Sequence, residues 1–227
     1  MVTAGKTADH IVVVANGEFA SAERLLPLID AADQVIAADG GANALARYDR
    51  YPDVLVGDLD SVNPEVLARI AGGSCRLLRH PTAKDETDTE LALLEAVRLG
   101  ARRITLLGAL GGRIDHALAN VLLLTLPALA GCIVQVYDGR SFLFLVREDC
   151  EVHGHPGDLL SLIAINGDAL GVRTEGLQFL LREESLRFGP ARGISNVLLG
   201  EVARVQLRAG MLLLIHTPLV FEGGQDG

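Results

Sequence analysis

Six aspartates stand in short polar segments, each downstream of an apolar run of the chain. They are Asp39, Asp58, Asp60, Asp85, Asp88 and Asp115. Carboxylates that converge repel one another and raise one another's pKa values, and a divalent cation relieves that repulsion. Oxygen ligands beside phosphate groups suit Mg²⁺ in particular. If the fold brings these side chains together, the sequence predicts a site for Mg²⁺ with a nucleotide or polyphosphate.

Glycines accompany the acidic segments, in Asn16-Gly17, Asp39-Gly40-Gly41, Gly57-Asp58 and Gly111-Gly112-Arg113. Glycine lets backbone N–H groups approach phosphate oxygens, and helix N-termini add the positive end of a dipole. Arg113 offers a planar guanidinium that suits a phosphate. His116 follows closely and either caps a helix or contacts a nucleotide.

Each segment also has an ordinary structural interpretation. Asp-Gly pairs such as Asp39-Gly40 are common in turns. Asp85 and Asp88 are three residues apart at a helix start, where they share a face and aspartates often serve only as caps. Asp58 and Asp60 carry the stronger functional signal, because the apolar segment before them has no structural need for two carboxylates. The basic residues nearby are expected to be solvated in loops: Arg79, His80 and Lys84.

Short β-rich runs alternate with helical patterns over the first 138 residues. The predicted strands are His10–Ala15, Gln34–Ala38, Asp53–Val56, Cys75–Leu78, Arg103–Leu107 and Cys132–Tyr137. The predicted helices are Ala22–Ala31, Asn43–Tyr48, Pro64–Ala71, Asp88–Leu99 and Ile114–Leu126. Alternation with continuous apolar strands indicates a parallel sheet covered by helices on both faces. Right-handed crossovers place the strand-to-helix loops, and the aspartates with them, along one edge.

After Tyr137 the pattern changes to strands joined by turns, with no long helix. The predicted strands are Ser141–Val146, Leu159–Ile165, Leu170–Arg173, Leu177–Leu181, Val202–Leu207 and Met211–His216. This part is typical of an antiparallel sheet or a small sandwich. We therefore predict an α/β fold with a Rossmann-like parallel-sheet domain over residues 10–138. An all-β sandwich follows over residues 141–221, with a frayed tail from Glu222.

Composition excludes several classes of protein. The 227 residues include 20 basic and 29 acidic side chains, a net charge of −9, which argues against binding nucleic acid by a basic face. Three scattered cysteines fit a reducing cytosol. The apolar stretch 117–134 is near transmembrane length, but Pro127 and Gly131 indicate the end of a buried helix and a turn into a strand. We expect no nucleic-acid partner, no membrane association and a cytoplasmic location.

Two phosphate-site motifs are incomplete. Gly5-Lys6-Thr7 resembles the end of a P-loop, but no predicted strand precedes it. Gly108-x-x-Gly111-Gly112 follows a strand but lacks the spacing of a dinucleotide-binding loop.

The motifs NG, DGG, GDLDS, DETD and GGRIDH, followed by GL…SN in the β-rich half, resemble those of thiamine pyrophosphokinases. The resemblance extends from about Ile11 to about His216. It implies an α/β domain that binds ATP and Mg²⁺, followed by a β-sandwich that binds thiamine and dimerises. It also implies a homodimer that transfers pyrophosphate from ATP to thiamine, giving thiamine diphosphate and AMP.

The resemblance implies roles for individual residues. The implied catalytic acids are Asp58, Asp60, Asp85 and Asp88, of which Asp58, Asp60 and Asp88 hold the metal. The implied ATP-binding residues are Asn16, Asp39, Arg113, Asp115 and His116. The implied thiamine-binding residues are Phe179, Ser195 and Asn196. Either Asp85 or Asp88 would accept the proton of the thiamine hydroxyl group.

The sequence departs from the family at two positions. Leu91 stands where some members have Lys, which removes one expected contact to phosphate. Gln178-Phe179 replaces a frequent Lys-Trp, and Phe179 is either a weaker stacking partner for a cationic ring or an ordinary core residue.

Three alternative functions stay open on the residues alone. One is a pyrophosphokinase of another small alcohol, such as a hydroxymethylpterin, although the late GL…SN half argues against it. The second is a Mg²⁺-dependent phosphohydrolase, for which the acidic edge is sufficient evidence. The third is a non-catalytic thiamine or nucleotide sensor, which would have no need of all six carboxylates.

Overall fold

The computed structural model describes residues 8–17, 19 and 21–219. The incomplete Gly5-Lys6-Thr7 motif and the predicted tail from Glu222 lie outside these residues. The chain divides into two compact units, Met1–Gly139 and Arg140–Gly227. We describe each unit separately.

Among the residues of the first unit that the structure describes, six parallel strands form a sheet. They are β1 (His10–Val14), β2 (Gln34–Ala38), β3 (Val54–Gly57), β4 (Arg76–Arg79), β5 (Arg103–Leu107) and β6 (Ile133–Tyr137). Their order is β6-β5-β1-β2-β3-β4, and every neighbouring pair is parallel. The apolar runs form the centre of this sheet because β1 has both faces covered, and Ile11 to Val14 are fully buried. The predicted parallel α/β sheet is confirmed.

The order of the strands determines where a ligand can bind. From β1 the chain proceeds outward through β2 and β3 to β4, and then returns to β5 on the other side of β1. The loops after β1 and β5 therefore leave the sheet in different directions. A crevice opens between such loops at the carboxyl ends of the strands.

Five helices connect these strands in the described part of the chain. They are α1 (Ala22–Asp30), α2 (Gly41–Ala46), α3 (Pro64–Ala71), α4 (Asp88–Arg98) and α5 (Ile114–Leu123). Local capping fixes the start of α4, where the Thr87 side chain accepts a hydrogen bond from the Glu90 N–H at 3.1 Å. It fixes the start of α3 likewise, where Asn63 accepts from the Glu65 N–H at 2.9 Å.

The prediction for α5 is wrong in two respects. The helix ends at Leu123 instead of Leu126, and Leu126 itself has ψ 129, the extended geometry that is favoured for a residue before proline. Pro127–Leu129 then forms one turn of 3₁₀ helix. The helix was also predicted to be buried, but one of its faces exposes Ile114, Leu118 and Leu122 to solvent. No helix within the described part of the chain is long and apolar enough to cross a membrane.

In the described residues of the second unit, the strands form two antiparallel sets of four. The first set, in the order β12-β9-β14-β7, contains β7 (Phe142–Val146), β9 (Leu159–Ala164), β12 (Asn196–Val197) and β14 (Leu212–Thr217). The second, in the order β11-β10-β13-β8, contains β8 (Cys150–His153), β10 (Ala169–Glu175), β11 (Arg182–Leu186) and β13 (Val202–Gln206). Side chains from both sets, such as Leu160, Leu214, Val172 and Val205, form one buried core. The predicted sandwich is confirmed.

One predicted strand of this unit is wrong. Leu177–Leu181 forms only a single bridge, between Leu177 and Leu198, and is otherwise irregular. Some of its backbone groups bond to side chains, as when the Leu181 N–H donates to the Thr174 hydroxyl at 2.9 Å, and the Gln178 N–H donates to the Val197 carbonyl at 2.9 Å. The strand that pairs with β10 is the next segment, β11, whose polar sequence gave no strand signal. The short strands β8 and β12 were not predicted either.

Candidate active site

A cleft of about 550 Å³ lies in the first unit, where the segments after β1, β2, β3, β4 and β5 meet. This volume falls within the range of small-molecule sites. Seven predicted site residues line it: Asn16, Asp39, Asp58, Asp60, Asp88, Arg113 and His116. Two predicted residues of the same unit, Asp85 and Asp115, are exposed and do not line it.

Asp85 does not share a helix face with Asp88. The i, i+3 relation to Asp88 requires both residues to be helical. The helix begins at Asp88 after the Thr87 cap, so Asp85 lies in the preceding turn. The prediction that Asp85 and Asp88 share one helix face is wrong.

Three carboxylates converge at the floor of the cleft. One oxygen from each of Asp39, Asp58 and Asp60 lies within 4.8 Å of the others. The backbone N–H of Asp60 donates to Asp58 Oδ1 at 3.2 Å and holds the pKa of Asp58 below its usual range. Asp39 is only 7% exposed, and burial raises its pKa. Its Oδ1 is buried without a hydrogen-bond partner. An orphaned buried oxygen beside two further carboxylates fits the oxygen ligands of a hard divalent cation.

The backbone around these acids is unusual. Asp39 has φ 44 and Leu59 has φ 68, which places both in the left-handed region that non-glycine residues rarely adopt. The Asp39 N–H donates to the Val56 carbonyl at 2.8 Å, so the end of β2 is tied to β3. Such conformations persist where surrounding contacts enforce them, and they concentrate at functional sites.

Asn43 holds the loop that carries Asp58 and Asp60. Its Nδ2 donates to the Ser61 carbonyl at 2.8 Å, and its Oδ1 accepts from the Asn63 N–H at 2.8 Å. Both halves of one amide thus fix the end of the acidic loop to α2. Sequence reasoning missed this residue, since only its place near a predicted helix start was visible.

Asn16 reaches the same floor from the end of β1. Its side chain packs so closely against Gly40 that a Cβ at Gly40 would lie 2.3 Å from Asn16 Oδ1. Glycine is therefore required at the second position of Asp39-Gly40-Gly41 for Asn16 to occupy this place.

Asp88 contributes a fourth carboxylate from the start of α4. Lys84 Nζ lies 2.9 Å from Asp88 Oδ1, and donates to the Pro81 carbonyl at 3.2 Å. Lys84 also lines the cleft, and its side chain is only 12% exposed. The prediction that Lys84 is a solvated loop residue is therefore wrong, because its ammonium is drawn to the acidic cluster.

Arg113 and His116 lie at the other side of the cleft, after β5. The Arg113 guanidinium donates twice to Asp115, at 3.1 and 2.6 Å, and holds the Asp115 pKa at about 2. Asp115 therefore orients Arg113 without lining the cleft itself. Asn120, which sequence reasoning did not assign, is buried and donates to the Ala109 carbonyl at 2.9 Å, fixing the glycine-rich loop.

The three predicted residues of the second unit are also close together. Asn196 Nδ2 donates to the Phe179 carbonyl at 2.6 Å, and its Oδ1 accepts from the Phe179 N–H at 2.9 Å. Phe179 is 63% exposed, so it is not the core residue that the sequence left possible. Ser195 has φ 58, and its N–H donates to the Ser161 hydroxyl at 3.0 Å.

Two family models match the chain in sequence order. The thiamin pyrophosphokinase catalytic domain matches residues 25–135, and the thiamin pyrophosphokinase vitamin B1 binding domain matches residues 148–212. The first match includes the four aspartates of the cleft, and the second includes Phe179, Ser195 and Asn196.

Proteins of the same kind are similar over most of their length. Thiamine pyrophosphokinase 3 of Oryza sativa subsp. japonica is 30% identical over 194 residues, which cover 75% of this chain and 73% of the relative. Thiamine pyrophosphokinase 1 of the same plant is 28% identical over 224 residues, which cover 88% of this chain and 84% of that relative. The crystal structure of thiamine pyrophosphokinase from Bacillus subtilis superimposes with a TM-score of 0.83 at 24% identity, over 93% of this chain and 100% of that one. At that identity the likeness establishes the fold.

Proposed function

Since the chain belongs to the thiamine pyrophosphokinase family, we propose that it transfers the pyrophosphoryl group of ATP to thiamine, giving thiamine diphosphate and AMP. The observation that carries the proposal is the convergence of Asp39, Asp58 and Asp60 in a cleft at the switch point of the sheet. A phosphoryl-transfer site needs such a concentration of oxygen ligands for its metal.

Mg²⁺ is the proposed metal, and the residues present fit it. Asp58 and Asp60 belong to the convergent group, and the orphaned oxygen of Asp39 makes this residue a ligand candidate as well. Asp88, the third predicted ligand, lies beside them and is in contact with Lys84. When bound, the cation neutralises charge on the polyphosphate.

The remaining chemistry depends on alignment and charge. The hydroxyethyl oxygen of thiamine would attack the β-phosphorus of ATP, and AMP would leave. Arg113, oriented by Asp115, would neutralise the polyphosphate, while Asn16 and His116 line the same cleft. Of the two predicted proton acceptors only Asp88 lines the cleft, so we assign the hydroxyl proton to its carboxylate rather than to Asp85.

We place thiamine binding on the second unit, at Phe179, Ser195 and Asn196. The exposed ring of Phe179 offers a face on which a cationic heterocycle can stack. The oxygen and the nitrogen of the Asn196 amide both bond to the Phe179 backbone, and we assign Asn196 the role of holding that segment, and its ring, in place.

A homodimer in the cytoplasm is the proposed state of the protein. Apolar side chains are exposed on both units, namely Ile114, Leu118 and Leu122 on α5 and Ile194 and Leu199 in the sandwich. Contact with a second copy would remove this surface from water. All three cysteines are free, as a reducing compartment requires.

The decisive experiment measures AMP formed from ATP and Mg²⁺ with and without thiamine. We expect AMP only with thiamine, together with thiamine diphosphate as co-product. ADP and phosphate formed regardless of thiamine would identify a phosphohydrolase instead. AMP formed with a hydroxymethylpterin would identify the other pyrophosphokinase, although both family models name thiamin. Tight thiamine binding without turnover would identify a sensor.

A further inference from the structure

Lys84 lines the cleft but is not part of any of the family motifs. It lies in the turn between β4 and α4, yet its side chain is only 12% exposed. Its ammonium group contacts Asp88 Oδ1 at 2.9 Å and the Pro81 carbonyl at 3.2 Å. The pairing spans i, i+4, but Lys84 precedes the helix, so the contact is made by the turn and not by helical geometry.

The charges that line the cleft make Lys84 distinctive. Five carboxylates line it, those of Asp39, Asp58, Asp60, Glu86 and Asp88, and the first three of them converge. Arg113 also lines the cleft, but its guanidinium is exposed and is paired with Asp115, away from the cluster. Among the described residues of the cleft, Lys84 is therefore the cation in direct contact with the acidic cluster.

An ammonium group in this place acts on any divalent cation that the cluster binds. Two positive charges a few ångströms apart repel strongly when both are shielded from bulk water. A divalent cation that binds without a nucleotide must therefore compete with the Lys84 ammonium group, which already neutralises part of the negative charge of the carboxylates. A bound polyphosphate adds negative charge. The Lys84 ammonium group can then pair with a phosphate oxygen, and the carboxylates become available to bind the cation.

We propose that Lys84 is an internal counterion that couples metal binding to nucleotide binding, so that the acidic cluster takes up a divalent cation tightly only together with polyphosphate. This proposal rests on the function proposed above and adds a coupling residue to it. Because coupling is reciprocal, Lys84 would also make the nucleotide bind better with the metal than without it. Asp88 is the carboxylate on which the exchange depends, since it is the one in contact with Lys84.

The test measures the affinity of the protein for Mn²⁺, from the free ion detected by electron paramagnetic resonance. Each protein is titrated alone and with the non-transferring analogue α,β-methylene-ATP. We expect the analogue to tighten Mn²⁺ binding to the wild-type protein at least about tenfold, within the usual range of coupling. Lys84→Met should bind Mn²⁺ alone about tenfold more tightly than wild type, and should show a smaller gain from the analogue.

Two further variants make the result specific. Lys84→Arg retains the charge and should resemble wild type in Mn²⁺ affinity. Arg79→Met removes one exposed positive charge at the end of the neighbouring strand and should leave Mn²⁺ affinity unchanged. Thermal melting of every variant shows whether it folds.

An equal or weaker affinity of Lys84→Met for Mn²⁺ alone would overturn the proposal, and so would an unchanged gain from the analogue. If thiamine-dependent AMP formation persists in the same preparation, only the role of Lys84 has failed. A wild-type protein that binds no Mn²⁺ with the analogue and forms no AMP contradicts the proposed function, and the coupling with it.

Discussion

The backbone of Gly57 passes so close to Asp88 that a Cβ at position 57 would lie 3.0 Å from the Asp88 carboxyl group. The same Cβ would lie 3.1 Å from the Cβ of Asp39. Gly57 also has φ 142, a conformation that L residues rarely adopt. The last residue of β3 therefore separates two of the acids, and its lack of a side chain lets both of them reach the cleft.

Replacing Gly57 with alanine should displace Asp88 or Asp39 and strain the end of β3. We expect turnover to fall about 100-fold, as when a reacting group is misplaced by about 1 Å. The free energy of unfolding should fall by about 1–3 kcal/mol because of backbone strain. Steady-state AMP formation and urea unfolding measure the two effects.

A control variant distinguishes strain from crowding at Gly57. Gly167 has φ 117 and lies in a turn of the second unit, with no atom within 4 Å of an added Cβ. Gly167→Ala should lose comparable stability but keep its turnover. Equal turnover of Gly57→Ala and Gly167→Ala would show that the acids are not displaced.

Because Asp88 lines the cleft and Asp85 does not, replacing each of them with asparagine should affect kcat very differently. Asp88→Asn removes a carboxylate that lines the cleft and should reduce kcat at least about 100-fold, within the range attributed to general base catalysis. Asp85→Asn changes an exposed turn residue outside the cleft and should keep kcat within about threefold of wild type. A comparable loss in both variants would contradict the assignment of the proton to Asp88.

Much of this architecture could be predicted because it depends on local sequence. The bounds of β2, β5 and α3 match the prediction, since buried apolar strands and a proline-started helix leave clear patterns. The aspartates of the cleft were found because the carboxyl ends of parallel strands meet at one edge. For these residues the topology determines the placement almost completely.

The remainder depends on contacts that no periodic pattern records. Asn43 holds the acidic loop through two backbone groups about 20 residues away, and such pairing follows from loop shape. The polar strand β11 lies at the edge of its sheet, where the alternation of apolar and polar residues is weak. The sequence therefore favours a strand at the more apolar Leu177–Leu181 instead. The Lys84 side chain is mostly buried and contacts Asp88, whereas the polarity of a lysine in a turn predicts exposure to solvent.

A buried pair in the second unit predicts a dependence of stability on pH. Asp158 is fully buried, and its Oδ2 accepts from the His155 N–H and contacts His216 Nε2, both at 2.9 Å, while its Oδ1 accepts from the Leu219 N–H at 2.9 Å. Burial acts to raise the pKa of Asp158, but these backbone donors and the His216 ring outweigh it and hold the pKa below its usual range.

A carboxyl group with a lowered pKa stabilises the folded state when it is ionised. The contribution of Asp158 is present above the unfolded pKa of about 3.9 and disappears as the pH falls through the lower folded value. Asp158→Asn should therefore be about 3–5 kcal/mol less stable than wild type at pH 7, with the difference shrinking from pH 5 to pH 3. Urea unfolding of both proteins across this range measures it, and a constant difference would contradict the role assigned to the carboxylate.

Asn196 and Phe179 should act as one unit in thiamine binding. Asn196→Ala removes the amide that fixes the Phe179 backbone, and Phe179→Ala removes the exposed ring. Each variant should raise the KM for thiamine about tenfold, as expected from the loss of one cation–ring contact of about 1–2 kcal/mol, and should leave the KM for ATP unchanged. The double variant should be little worse than either single one, because both changes remove the same contact.

Leu180→Ala is the matched control for this pair. Leu180 is the neighbour of Phe179 and is also exposed, but the Asn196 amide does not bond to it. Its replacement should leave both KM values unchanged. If the effects of Asn196→Ala and Phe179→Ala on the thiamine KM multiply in the double variant, Asn196 contributes to binding independently of the ring. The bonds of the Asn196 amide argue against that outcome, because its oxygen and its nitrogen both bond to the protein backbone.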